Sequence, residues 1–142
     1  MKIKLDSDKI RKISLFEKVT GATAIDCVES QDGNRLTFIV KKNEIGKAIG
    51  KNGKNISKVR EKLGKSVDVV EYAKDPAKFI SNIFSSVDLE EVNIIDSEEG
   101  KIAKVKVDRS EKGKVVGRDG WNIKRARELL ARHHEVSDIT LT

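Results

Sequence analysis

The sequence predicts an α+β fold built from two similar units, each with one three-stranded sheet covered by helices on one face. An internal repeat is the first observation: residues 43–63 align without gaps on residues 110–130, and ten of the 21 positions are identical. The second observation is that each copy follows a helical apolar pattern and two strand-like segments, and precedes one more strand. We therefore expect two small domains, residues 1–74 and 75–142.

The first unit is predicted as helix, strand, strand, helix, helix, strand. Ser7 or Asp8 is expected to cap a helix that ends before Gly21. The apolar positions expected on its inner face are Ile10, Ile13, Leu15 or Phe16, and Val19. The later elements are strands over 24–30 and 35–41, a short helix capped by Asn43, a helix over 54–63 that Gly64 ends, and a strand over 67–72.

The second unit repeats this order. Pro76 suits the first turn of a helix that we expect to reach Ser85 or Ser86. Its predicted inward residues are Phe79, Ile80, Ile83 and Phe84. The remaining predicted elements are strands over 89–96 and 101–108, a short helix capped by Ser110, a helix over 121–132 and a strand over 136–141.

Charge favours a polyanionic partner. The chain carries a formal net charge of +6 and a pI near 9.4. Residues 1–74 hold 17 Lys and Arg against 10 Asp and Glu, and residues 101–132 hold 11 against four. Both copies of the repeat therefore lie in basic surroundings, which is typical of nucleic-acid binding.

Several other functions find little support in the sequence. Cys27 is the one cysteine, so an internal disulfide is excluded, and a buried inert thiol is expected. The pair His133–His134 fits a helix end better than a metal site. No nucleophile, base and acid share a recognisable spacing, so we expect neither an enzyme nor a cofactor. A secretory signal and a membrane span are not expected, and the chain is predicted to be a cytoplasmic monomer without a flexible linker.

The repeated glycines indicate a site for a phosphate backbone. In each copy a Gly-x-x-Gly segment joins a short helix to a longer basic one, at Gly50 and Gly53 and again at Gly117 and Gly120. Glycine permits positive φ and close approach of a ligand, and free amides at a helix start attract anions. The glycine spacing does not match that of a Walker A loop, and no dinucleotide-binding motif is present. A pure packing role for the glycines stays open.

The longer strings IGKNGKNI (49–56) and VGRDGWNI (116–123) resemble the Gly-x-x-Gly loop of KH domains. The resemblance implies a clamp on about four nucleotides of single-stranded nucleic acid. The order helix, strand, strand, helix, helix, strand is similar to the type II, or prokaryotic, KH arrangement. The expected fold is therefore two tandem type II KH domains.

The whole chain also resembles the small archaeal-type NusA family of transcription termination and antitermination factors. Residues 13–21, 26–28 and 44–53 carry this resemblance. It implies single-stranded RNA as a partner and, less directly, RNA polymerase, because the polymerase-binding domain of bacterial members is not expected within these 142 residues. Two alternatives stay open: a KH protein of ribosome assembly or RNA processing, and an interaction module that uses the acidic segment 88–99.

The resemblance assigns the RNA contacts to both loops and to the basic residues beside them. The predicted set is Lys47, Gly50, Lys51, Asn52, Gly53, Lys54, Lys114, Gly117, Arg118, Asp119, Gly120, Lys124 and Arg125. One strand is expected to cross both loops, with bases in a shallow aliphatic groove. Because the Asp119 carboxylate repels phosphate, the first domain is expected to supply more affinity. Trp121 is expected to pack at the helix start or between the domains, with base stacking as the alternative.

Overall fold

The computed structural model describes residues 6–142, and the chain divides into two compact units, one ending at Tyr72 and the other beginning at Ala73. The predicted α+β class, with one three-stranded sheet in each unit, is confirmed. The elements of the first unit are α1 (Ser7–Thr20), β1 (Ala24–Glu29), β2 (Arg35–Val40), α2 (Ile45–Ile49), α3 (Lys54–Leu63) and β3 (Ser66–Glu71). Those of the second are α4 (Pro76–Ile83), β4 (Leu89–Ser97), β5 (Gly100–Val107), α5 (Lys112–Val116), α6 (Trp121–His134) and β6 (Val136–Leu141).

Each sheet has its second strand in the centre. β2 pairs antiparallel with β1 and parallel with β3, and β5 pairs in the same way with β4 and β6. A parallel partner cannot follow through a tight hairpin, so the connection must cross over the sheet. In both units that connection is the helix pair joined by the glycine loop, which fixes the loop at one end of the sheet.

A stacked aromatic pair lies in the core of the first unit. Phe16 of α1 and Phe38 of β2 are fully buried, with ring centroids 4.2 Å apart and planes 13° from parallel. The short helix α2 contributes Ala48, and α3 contributes Ile56 and Val59. The two helices that flank the glycine loop are therefore anchored in the core by small and branched apolar side chains.

The second unit has an equivalent core. The four α4 residues expected to point inward, Phe79, Ile80, Ile83 and Phe84, are all buried. α6 buries more of its surface than α3 does. Its buried residues are Ile123, Arg125, Ala126, Leu129 and Leu130.

Two expectations for α1 are wrong. The helix cap is Asp6, whose Oδ1 accepts a hydrogen bond from the Lys9 amide at 2.8 Å, rather than Ser7 or Asp8. Ile10, expected on the inner face, is 49% exposed. The neighbouring Lys9 instead reaches the sheet, where its Nζ lies 3.5 Å from the buried carboxylate of Asp26.

The caps of the short helices also differ from prediction. Asn43 lies before α2 with φ 69°, and its side chain does not cap the helix, which has Glu44 at its N-cap. In the second unit a 3-10 turn over Arg109–Glu111 precedes α5, and the Asp108 carboxylate accepts from the Ser110 amide. Asp108 thus caps the 3-10 turn, whereas α5 has Glu111 at its N-cap without a side-chain hydrogen bond, and the cap predicted at Ser110 is wrong.

The ends of two longer helices differ as well. α4 stops at Ile83, before the expected Ser85 or Ser86, and Phe84 forms its C-cap. α6 continues two residues past the expected Arg132 to His134, and Glu135 ends it in the left-handed conformation with φ 55°. A non-glycine residue in that conformation gives no sequence signal for a helix end as clear as Gly64 does.

Replacing Phe38 with alanine should lower the free energy of unfolding by about 3–5 kcal/mol, because the change removes a buried ring and leaves a cavity. Urea titration followed by far-UV circular dichroism measures the change. Ile10→Ala is the control: the exposed position should alter stability by less than about 0.5 kcal/mol. A large loss in the control would show that Ile10 packs inward after all.

Candidate nucleic-acid interface

The turn between α2 and α3 depends on backbone conformations that favour glycine. Gly50 has φ 77° and ψ 170°, and Gly53 has φ 74° and ψ 16°. A Cβ on Gly50 would lie 2.7 Å from Cγ and 2.9 Å from the backbone nitrogen of Asn55, so no larger residue fits there. At Gly53 the nearest atom would be 4.0 Å away, and the constraint is the positive φ alone.

Between the glycines, Asn52 also takes the left-handed conformation, with φ 56° and ψ 27°. Asparagine and aspartate tolerate this region better than other non-glycine residues. The second copy has Asp119 at φ 57° and ψ 22°. The backbone therefore explains why both loops have an Asn or Asp at this position.

A side-chain hydrogen bond closes the turn. Asn55, in the first turn of α3, donates from Nδ2 to the carbonyl oxygen of Lys47 in α2 at 2.8 Å. The bond gives an acceptor at the end of α2 the partner that the helix itself cannot supply. Because the Asn55 side chain crosses directly over Gly50, the missing Cβ and the hydrogen bond are two parts of one arrangement.

The second copy reproduces the arrangement. Gly117 has φ 77° and ψ 172°, and Asn122 Nδ2 donates to the Lys114 carbonyl oxygen at 2.9 Å. A Cβ on Gly117 would lie 2.6 Å from Cγ of Asn122. Both asparagines lie at equivalent positions of the repeated strings IGKNGKNI and VGRDGWNI, and neither is among the predicted contact residues. Their identity at both copies was the available signal.

Backbone donors lie at the tip of each loop. Gly53 N–H donates to Gly50 O at 3.1 Å, which is the first hydrogen bond of the 3-10 turn. The amides of Lys51 and Asn52 precede that bond, and no side chain caps the turn or α3. The loop thus directs donors and the positive end of a helix dipole toward the same point, as anion sites do.

The predicted basic residues of the first loop are available at the surface. Lys47, Lys51, Asn52 and Lys54 are all exposed. Within residues 6–142, none of the three lysines forms an ion pair. An exposed cation without a carboxylate partner retains its full attraction for an external anion.

The second loop is less positive. Lys114 is exposed, but its Nζ lies 3.2 Å from the Glu111 carboxylate. The equivalent of Glu111 in the first unit, Glu44, instead accepts a hydrogen bond from the Thr23 amide. Arg118 and Asp119 are exposed next to each other, and Lys124 is exposed on α6. The structure therefore places these residues at the surface around the loop, with carboxylates among them.

Arg125 does not belong with the exposed residues. It is 5% exposed, and its Nη2 donates to the carbonyl oxygen of Ile83 at the C-terminal end of α4 at 3.2 Å. A cation at that end of a helix satisfies an unpaired carbonyl and interacts favourably with the dipole. We therefore remove Arg125 from the predicted RNA contacts, since it lies in the core of the second unit.

An exposed apolar residue precedes each glycine loop. Ile49 is 41% exposed and Val116, at the equivalent position, is 38% exposed. Large apolar side chains with this exposure are few in the described part of the chain, so their recurrence beside both loops is informative. Trp121, which follows Gly120 directly, is half-buried at the first position of α6.

The remaining candidates have structural explanations. Burial raises the pKa of the Cys27 thiol to about 12, so the buried, inert thiol that was expected is confirmed. Burial lowers the pKa of His134, whose Nε2 lies 2.9 Å from the Ala73 carbonyl oxygen. Among residues 6–142 no group of three metal-ligating side chains comes together. No helix in the same range is long and apolar enough to span a bilayer.

Comparison with known proteins identifies relatives along the whole chain. A family model for the KH domain matches residues 9–99, and a model for the NusA-like second KH domain matches residues 76–141. A probable transcription termination protein NusA of Methanocaldococcus jannaschii is 38% identical over 138 residues, which are 97% of this chain and 74% of that protein. The Halobacterium salinarum protein of the same description is 36% identical over 142 residues, 100% of both chains. A crystal structure of the protein APE1850 superposes with a TM-score of 0.83 at 37% identity and covers 99% of this chain and 100% of its own.

Exchanging Gly50 for alanine should destabilise the first unit by about 1–3 kcal/mol or more, because φ is positive and the new Cβ would overlap Asn55. Gly46→Ala is a matched control in the same short helix. No atom lies within 4 Å of a Cβ at Gly46, so this change should be neutral or stabilise by up to about 1 kcal/mol. Urea titration of both variants measures the change in the free energy of unfolding. Equal changes in the two variants would contradict the close packing of Asn55 against Gly50.

Proposed function

The chain belongs to the archaeal NusA family, and we propose that it binds single-stranded RNA through its two Gly-x-x-Gly loops and acts in transcription termination or antitermination. The expected fold of two tandem type II KH domains is confirmed by the family matches and by the two three-stranded sheets with their helices. KH domains clamp about four nucleotides with this loop.

The observation that carries the proposal is the recurrence of one loop geometry in surroundings of positive charge. Both loops share the backbone conformation and the Asn side-chain hydrogen bond, and no side chain caps the basic helix that follows. A packing role alone would not require exposed lysines around the turn. A phosphodiester backbone needs both the donors and the charge.

In the first unit we assign phosphate contacts to the backbone amides of Lys51 and Asn52 and to the side chains around them. Lys47, Lys51 and Lys54 supply exposed positive charge before, within and after the turn. Because Gly50 and Gly53 have no side chain, the RNA strand can approach the protein main chain closely there. Exposed Ile49 offers an apolar surface for a base at the edge of the loop, since aromatic side chains make up only 4% of the chain.

In the second unit the loop has the same backbone conformation, but we expect it to attract phosphate less strongly than the first loop does. Gly117 and Gly120 shape the loop, and Arg118, Lys114 and Lys124 provide its positive charge. The Asp119 carboxylate opposes phosphate, and Glu111 neutralises part of the Lys114 charge. We therefore propose that the first unit supplies more of the affinity.

We also propose that the chain is a binding protein rather than an enzyme, located in the cytoplasm. Two groups with reactive side chains have structural explanations: the Cys27 thiol is buried with a raised pKa, and His134 contacts a main-chain carbonyl. Exposed basic residues lie at both loops, where they suit recognition of a charged polymer. No chemical step is needed to account for them.

Reciprocal exchange of the residues between the glycines tests the loop assignment. Asn52→Asp should weaken binding of fluorescein-labelled single-stranded RNA, and Asp119→Asn should strengthen it, each by roughly fivefold for about 1 kcal/mol of charge interaction. Both positions have the same left-handed backbone, so neither change should disturb the fold. Fluorescence anisotropy measures affinity, and emission of Trp121, the one tryptophan, reports occupancy of the second loop.

Asn93→Asp is the control for these exchanges, because it adds the same charge at an exposed position on β4, outside both loops. Its RNA affinity should stay close to that of the unmodified chain. Binding should also weaken steeply as salt rises. Affinity that hardly changes between low and physiological salt, or a control as weak as Asn52→Asp, contradicts a phosphate clamp at the loops.

The role in transcription has a separate test. Affinity-tagged chain recovered from native cell extract should carry RNA polymerase subunits, identified by mass spectrometry. Ribonuclease treatment then distinguishes direct contact with the polymerase from contact through a transcript. Recovery of pre-ribosomal particles without polymerase would reject the transcription role and leave RNA binding intact.

A further inference from the structure

One face of α3 is a continuous row of lysines. Residues four apart on a helix lie one above the other, so Lys54, Lys58 and Lys62 form a single row about 12 Å long. All three side chains are exposed. The equivalent residues of α6 are half-buried Trp121 and buried Arg125 and Leu129.

The contrast has a cause in helix packing. In the second unit α4 lies against this face of α6: Arg125 bonds the Ile83 carbonyl, and the ring of His133 meets Phe79 edge-on at 5.9 Å. In the first unit α3 buries Ile56 and Val59 instead, and all three lysines of the row are exposed. The row therefore stays open to solvent.

The lysine row also keeps its charge. Elsewhere in the first unit, Lys12 and Lys65 both contact the Glu29 carboxylate, at 3.0 and 2.5 Å. None of the row lysines forms an ion pair with any residue from 6 to 142. Glu61 is the single acidic residue of α3 and is itself exposed. The row is thus a strip of uncompensated positive charge.

The row begins where the loop ends. Lys54 directly follows Gly53, so the strip continues from the proposed phosphate clamp along the helix surface. We propose that the lysine row is an extension of the RNA-backbone site, which holds phosphates beyond those at the first loop. This proposal rests on the proposed function. Because α6 has no such row, the first unit contacts a longer stretch of RNA than the second.

The chemistry of lysine defines what the row recognises. Successive lysines are about 6 Å apart along the helix, and their flexible stems let each ammonium reach a phosphate as a point charge. Contacts of this kind increase affinity without reading bases. The row should therefore bind the backbone of any sequence.

The test compares two double variants with equal loss of charge. Lys58→Gln with Lys62→Gln removes the outer part of the row, and Lys104→Gln with Lys106→Gln removes two exposed lysines from β5. Glutamine has nearly the helix propensity of lysine, so α3 should persist, which circular dichroism checks. Each protein is titrated with an RNA of about four nucleotides and with one several times longer, over a range of salt.

For the longer RNA, the α3 variant should lose affinity on the order of tenfold, and its salt slope should shrink by about 0.7 for each lost phosphate contact. Its affinity for the short RNA should not change, and the β5 variant should match the unmodified chain on both. Equal losses of affinity in the α3 and β5 variants would show only a general attraction between the net positive charge of the protein and RNA, and would overturn the proposal. An α3 variant that binds the longer RNA with normal affinity would also overturn the proposal. So would an α3 variant whose affinity for the short RNA falls as much as its affinity for the longer one. An unmodified chain that binds neither RNA overturns the proposed function itself.

Discussion

The junction between the short and the long helix of each unit depends on one contact, the hydrogen bond from an asparagine side chain to the carbonyl oxygen of a lysine in the preceding helix. The asparagine can reach that oxygen only because the glycine beneath it has no Cβ. The contact fixes the backbone of the loop between the two helices. In the first unit exposed Ile49 lies directly before the first glycine and exposed Lys54 directly after the second. A loop held in this way has little conformational entropy left to lose when a ligand binds.

Two units with the same junction differ in what surrounds it. Backbone angles at Gly50 and Gly117 agree within 2°. The side chains around them do not match: Glu111 pairs with Lys114, whereas Glu44 bonds a main-chain amide and leaves Lys47 unpaired. Asn52 is replaced by Asp119, a change that the left-handed backbone accepts at no cost to the fold. The charge around the loop is thus separable from the shape of the loop, because it depends on residues that the loop conformation does not require.

The sequence predicted those features that depend on local backbone chemistry. The glycine spacing located both loops, and Gly64 marked the end of α3, because positive φ leaves a residue signature. It failed where tertiary packing decides. Helical periodicity placed Ile10 inward, but Lys9 takes the position next to Asp26. Recurrence of basic residues placed Arg125 at the surface, yet the end of α4 needed a donor inside the core. The positions of Lys9 and Arg125 could not be predicted from the sequence of one helix alone. Each depends on the residue that a neighbouring element places next to that helix.

Arg125 shows how packing limits electrostatic function on the same helix face. A lysine row requires that a whole face of the helix remain in water, since an unpaired buried ammonium is strongly unfavourable. Once α4 covers that face of α6, its residues must be apolar or must satisfy a buried acceptor, as Leu129 and Arg125 do. Burial on this face stabilises the second unit and removes the surface that a phosphate backbone would need. Contact with α4 on this face therefore commits the helix behind the second glycine loop to the core, whereas the same face of α3 is exposed and remains available to an external polyanion.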